Sequence, residues 1–224
     1  MKHPIGDVNL LDLTPYGGDL EPDGDYDGLE LRDLDLSGQR AENARFLACL
    51  LAGCVLDDAE LDRAQIAHSV LADLRAHTLQ AIESGWRDVA ITECRLGAVT
   101  TYGAQLTRVR ITGGKFDYVN LRGAALTDVV IEDAAIGELD LVGARLTRVT
   151  FERCRVGQLD VTRATLDRVD LRGAELAVLR GLAHLRGATI TPDQLTDLSP
   201  SLASHLGLTV AEPVTGSPSP NSEV

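Results

Sequence analysis

An apolar side chain returns at every fifth residue of the chain, in one unbroken frame from Leu31 to Leu176. The frame passes through Leu36, Phe46, Leu51, Leu56, Leu61, Ile66 and Leu71, then Trp86, Ile91 and Leu96, and on through Leu106 to Leu171. Ala41, Ala76, Ala81 and Thr101 break it, and each is small enough to be enclosed. Two residues before each frame position stands a second apolar or small residue, from Ala44 and Cys49 to Ala174. A period of five matches neither the 3.6 of a helix nor the 2.0 of a strand. A short fixed period predicts a stacked solenoid in which each unit covers its neighbour's core.

Sorted at a spacing of twenty, the inward positions separate into columns: Val89, Val109, Val129, Val149 and Val169; Val99, Val119, Leu139, Leu159 and Leu179; Ala44, Ala64, Ser84, Ala104 and Ala124; and a mixed one with Cys54, Leu74, Cys94 and Gly114. Thr107, Thr127 and Thr147 stack among the outward positions, as do Gly103, Gly123 and Gly143. The columns predict a four-sided coil of about twenty residues that rises one strand spacing, about 4.8 Å, per turn. Large Val/Leu columns alternating with small Ala/Cys columns fill a narrow core. Glycines at fixed corners suit turns of positive φ.

Blocks such as Ala59-Glu60-Leu61-Asp62-Arg63, Ala124-Ala125-Leu126-Thr127-Asp128 and Ala164-Thr165-Leu166-Asp167-Arg168 resemble the repeat unit of pentapeptide-repeat proteins, over about residues 29 to 190. The resemblance implies an all-β solenoid, a right-handed quadrilateral β-helix of about eight coils and about 38 Å in length. The ladder of Asp or Asn before the central residue is only partly present, as in Asn120, Asp140 and Asp160. Residues 1–28 are expected to form an acidic N-terminal capping segment, with Ile5, Val8, Leu10, Leu11 and Leu13 against the first coil. Residues 191–210 are expected to form two short C-terminal helices. Thr191-Pro192-Asp193-Gln194 reads as a capping box, Ser199-Pro200 as a second start and Gly207 as a stop. They would present Leu195, Leu198, Leu202 and Leu206 to cap the core or to join two copies as a homodimer, as family members do. Residues 211–224, rich in Pro, Ser and Asn, read as a disordered tail.

The chain lacks an eighteen-residue apolar run and a basic-then-apolar leader, so no membrane span or secretion signal is expected. Cys49, Cys54, Cys94 and Cys154 all fall on inward positions, which favours buried reduced thiols and a cytoplasmic setting over disulfides or zinc. The net charge is −13, and it is unevenly spread: 14 acids against 4 bases through residue 60, then 16 against 16 over residues 61–180. No basic stripe emerges from that balance, so direct nucleic-acid binding is not expected. Asp23-Gly24-Asp25-Tyr26-Asp27-Gly28 matches the first half of a calcium loop, but Leu34 stands where the bidentate Glu belongs, so it reads as a solvated acidic turn. His68, His77, His184 and His205 are scattered and Ser69 points inward, so no catalytic constellation, metal site or cofactor is expected.

The resemblance brings in one specific function. Some pentapeptide-repeat proteins resemble B-DNA in width and charge, bind DNA gyrase and protect it from quinolones or natural toxins. It implies a protein-binding rod whose acidic contact surface would be Asp19, Glu21, Asp23, Asp25 and Asp27. The alternative is an assembly scaffold for another protein, with an outward apolar patch of Leu47, Leu50 and Val70 as its contact.

Overall fold

The computed structural model describes residue 10 and residues 12–211. The expected cap residues Ile5, Val8 and Leu11 and nearly all of the expected tail lie outside the described residues. The chain divides into a coil unit ending at Thr191 and a helical unit beginning at Pro192.

The coil is built from parallel strand pairs offset by twenty residues. Tyr26, Phe46, Ile66, Trp86, Leu106, Leu126, Leu146 and Leu166 lie over one another in unbroken register, a stack of eight. Val89, Val109, Val129 and Val149 do the same on the next face and are fully buried. The stack reaches below residue 29: the strand Asp25–Asp27 pairs with Arg45–Leu47, and the Tyr26 ring stacks on Phe46 at 4.7 Å with Tyr16 edge-on at 5.6 Å.

Each coil keeps its interior filled by trading volume within one strand. On the third face the inward pairs are Leu74 with Ala76, Cys94 with Leu96, Gly114 with Phe116, and Ala134 with Ile136. The small member makes room for the large one. A Cβ on Gly114 would meet the Cys94 carbonyl at 2.5 Å and the Phe116 ring at 3.3 Å, and its φ is +88°. The one tryptophan follows the same logic with a polar handle: Trp86 Nε1 donates to Ser84 Oγ at 2.8 Å, and Ser84 Oγ donates to the Ala81 carbonyl.

The corners differ from the expectation that glycine marks them. Gly103, Gly123 and Gly143 do have φ of 65–70°, but so do Asp33, Asn43, Arg63, His68, Glu93, Arg108 and others, with φ of 51–58°. The strain of a left-handed non-glycine residue is offset because its amide donates to the next coil, as Asp33 does to Ala52 and Asp73 to Thr92. From the third coil on, one corner is different. The strands Arg75–Gln80, Arg95–Thr100, Lys115–Asn120 and Ala135–Asp140 run straight through it, and Thr78, Ala98, Tyr118 and Glu138 have no positive φ.

The frame slip expected after Leu179 is present. Ala188–Thr189 pairs with Val169–Asp170, an offset of nineteen, after a turn of 3-10 helix at Leu182–His184. In the helical unit, one helix spans Pro192–His205 where two were expected. Pro200 sits inside it, so Thr196 receives no amide from that position, yet the chain does not restart. The hydroxyl of Ser199 donates to the Leu195 carbonyl, so the serine read as an N-cap serves the helix already running. The stop is as expected: Gly207 has φ 70°, its amide donates to Ser204, and the Leu208 amide donates to Ala203, a Schellman closure.

Candidate interaction surfaces

The five acidic residues singled out near the N-terminus are all exposed, but they do not form one free surface. Strand alternation sends Tyr26 inward and Asp25 and Asp27 outward together. Both then face Arg45, whose guanidinium grips Asp25 through two hydrogen bonds of 2.8 and 3.1 Å and lies 4.0 Å from Asp27. Asp19 accepts from Gln39 Nε2 at 3.1 Å, and Asp23 occupies a left-handed corner. The calcium-like run is thus half used up by an arginine, and no cluster of three or more metal-ligating residues occurs among the described residues.

The apolar patch is divided by a corner. Leu50, Val70 and Ala90 stack in register, between Glu30 below and Arg110 above. Ala52, Ala72 and Thr92 stack beside them on the same face. Leu47 lies round the Ala48 corner on the previous face, over Asp27. Above Arg110 the column is closed: its Nη1 donates to Glu132 Oε2 at 2.7 Å, and Val130 beside that pair is fully buried. The window of small apolar residues is therefore confined to three coils.

Elsewhere outward charges pair between coils. Arg108 grips Asp88, Arg148 grips Asp128 and Arg153 grips Asp133, each arginine donating through Nε and Nη2 to the carboxylate one coil below. These guanidinium groups hold the carboxyls of Asp88, Asp128 and Asp133 below the usual range. A carboxyl whose folded-state value is depressed stabilises the fold above its unfolded value and loses that contribution as pH falls through the folded one. Melting temperature is accordingly expected to hold steady above about pH 4 and to fall below it. The fall should be shallower in an Arg108→Gln/Arg148→Gln variant, and identical pH profiles would show that the pairs contribute nothing.

One column departs from this pairing and corrects the expectation that the body holds no basic stripe. Arg75, Arg95 and Lys115 are stacked in register on the third face, with Val55 below and Ala135 above. Charge counted along the chain balances, but charge sorted around the coil does not. Beside the column Gly97 leaves a gap between His77 and Asp117, and an open depression of about 520 Å³ lies there, lined by Arg95, Gly97, Ala98, Lys115, Asp117 and Tyr118 among others. His77 Nδ1 lies 3.0 Å from both Asp57 oxygens, and Lys115 Nζ lies 3.1 Å from Asp117. Reading every twentieth residue one before the frame position would have found this column.

The four thiols are free and buried, as expected. Each lies against the carbonyl twenty-three residues earlier, as Cys154 Sγ does to Ile131 at 3.2 Å and Cys49 Sγ to Tyr26 at 3.3 Å. Burial pushes all four up, Cys94 to about 11, so they are packing groups and poor nucleophiles. Ser69 is fully buried, accepting from the Cys49 amide and donating to the Ala67 carbonyl, while His68 points outward toward Asp88. The chain neighbours therefore do not act as a pair. In the helical unit Leu195, Leu198 and Leu202 recur at helical spacing along one face, and Leu206 stands just past the last turn. No helix among the described residues is long and apolar enough to cross a membrane.

No family model and no curated protein sequence matches the chain. Among solved structures it is similar to HetL, a pentapeptide-repeat protein involved in heterocyst differentiation regulation in the cyanobacterium Nostoc sp., at 17% identity over 77% of this chain and 92% of that one, with a TM-score of 0.36. It is also similar to a trypsin-treated form of QnrB1, a plasmid-mediated fluoroquinolone resistance protein, at 15% identity over 90% of this chain and 100% of that one, with a TM-score of 0.28. Full-length QnrB1 gives 14% identity over 80% and 99%, with a TM-score of 0.21. The fold itself is carried by the coil's own register, a parallel β-solenoid that closes every twenty residues.

Proposed function

We propose that this pentapeptide-repeat solenoid is a non-catalytic rod that binds another protein through its N-terminal third. The observation that carries the reading is a coincidence of place. The exposed carboxylates of Asp19, Glu21, Asp23 and Asp27 and the apolar window that begins at Leu50 and continues to Val70 and Ala90 follow one another along the N-terminal coils, whereas several carboxylates farther along, such as Asp88 and Asp128, are taken up by arginines. A contact surface is distinguished by an apolar centre with a charged rim, and this region offers both. DNA gyrase is the specific candidate. A saddle built for a line of phosphates would accept carboxylates, and the N-terminal third supplies the chain's excess of them. The Arg45 pairing reduces what Asp25 can add.

A supercoiling assay tests the candidate. Micromolar protein is expected to relieve quinolone poisoning of gyrase, and charge reversal of Asp19, Glu21, Asp23, Asp25 and Asp27 together to remove the relief. Relief unchanged by the reversal would exclude the acidic segment as the contact. The second reading, a scaffold for some other protein, is favoured by the apolar window alone. It predicts no effect on gyrase and a partner whose binding is lost with Leu50→Lys/Val70→Lys. Self-association through Leu195, Leu198 and Leu202 belongs to either reading, and a light-scattering mass equal to one chain would remove it.

A further inference from the structure

The third face carries a feature that the protein-binding reading leaves unused. Parallel pairing sets Arg75, Arg95 and Lys115 about 4.8 Å apart along the coil axis. Like charges directly opposite in a sheet repel. Several outward arginines of this chain are paired with a carboxylate one coil away, as Arg108 is with Asp88 and Arg153 with Asp133. Here the column continues into Val55 and Ala135, which offer no charge. Asp73 and Glu93 occupy the left-handed corners before the column, and neither forms an ion pair with Arg75 or Arg95 among the described residues. Asp57 on the same face is engaged with His77, and Asp117, which also lines the depression, with Lys115. All three cations are exposed, and two of them line the depression beside Gly97.

We propose that this depression binds a small organic oligophosphate. The phosphate chain lies across Arg95, Lys115 and Arg75, and the organic body rests on Gly97 and Ala98 against the Tyr118 ring. Three chemical features support this choice over a plain ion. Two guanidinium groups and an ammonium at regular spacing match a run of oxyanions and are more than a single phosphate engages. The depression, about 520 Å³ and open to solvent, leaves room beside the cations for an organic body. Ala98 and Tyr118 are among its lining residues, and a glycine opens it: a Cβ on Gly97 would meet the His77 carbonyl at 2.3 Å. The site is on a different face from the apolar window, so its failure and that of the proposed function are independent.

Isothermal titration of the full chain with inorganic tripolyphosphate and with adenosine triphosphate tests it. One-to-one binding is expected, tighter for the nucleotide. Arg95→Glu should weaken both ligands about tenfold or more, with Arg75→Gln as a milder second variant. Tyr118→Ala should weaken the nucleotide and leave tripolyphosphate unchanged. Arg87→Glu, on another face, should alter neither, and melting curves of all variants establish that they are folded. No heat with either ligand at millimolar concentration would overturn the proposal. So would equal weakening by Arg87→Glu, which signals a diffuse charge effect, or tighter binding of a polyglutamate peptide, which signals an acidic protein segment.

Discussion

Val109→Asp is expected to abolish cooperative folding of the coil, while Thr107→Asp, two residues away on the same strand, leaves the melting temperature almost unchanged. In a flat strand residues i and i+2 share a face, and the two variants would behave alike. Here Arg108 between them is in the left-handed conformation, so Thr107 stands outward over Arg87 and Val109 is fully buried between Val89 and Val129. A carboxylate at 109 would meet only side chains of the valine stack. Burying it without a partner costs several kcal/mol, against a total stability of about 5–15 kcal/mol for a domain. An aspartate at 107 faces water and an arginine. Circular dichroism melts of the two variants check this, and similar destabilisation by both would mean that the corner does not reverse the strand's facing.

Leu74→Ala is the second large effect. Leu74 is buried and its neighbour on the inward side is Ala76, so truncation leaves a hole lined by two alanines. A loss of about 2–5 kcal/mol is expected, the range for deleting a buried leucine. The coils above reverse the order of sizes, with Cys94 before Leu96 and Gly114 before Phe116. Leu74→Ala combined with Ala76→Leu is therefore expected to recover more than half of the loss, with urea denaturation as the measurement. Ala76→Leu alone should destabilise by overpacking. If the double variant is no better than the sum of the single ones, the volume exchange along the strand is not what fills the core.

Most of the fold is legible in the sequence, because a twenty-residue register repeats and each repeat restates the same pattern. Val109, Val129 and Val149 lie in one buried stack as their spacing implied, and even the slip after Leu179 appears as an offset of nineteen. Three things were not legible, each for a physical reason. Glycine alone does not mark the corners, since Asp33 and Asp73 adopt the same φ with their amides supplied with acceptors by the ladder. Pro200 was read as a break, because proline propensity describes an isolated helix and not one already propagating from Pro192. The acidic surface was read from a charge count, which cannot see that Arg45, twenty residues on, lies directly over Asp25. The basic column on the third face was missed through the same blindness in the opposite sign.

Because the coil closes after four units of five, its surface chemistry behaves like a combination lock. Inserting or deleting five residues leaves the interior alternation intact but turns every later side chain a quarter of the way round. Such a change above residue 80 would leave Arg75 where it stands and carry Arg95 and Lys115 to a neighbouring side. The same shift made between coils two and three would part Leu50 from Val70. Only changes of twenty preserve who stands above whom, so the coil is free to vary in whole turns while its surface columns tolerate no smaller step.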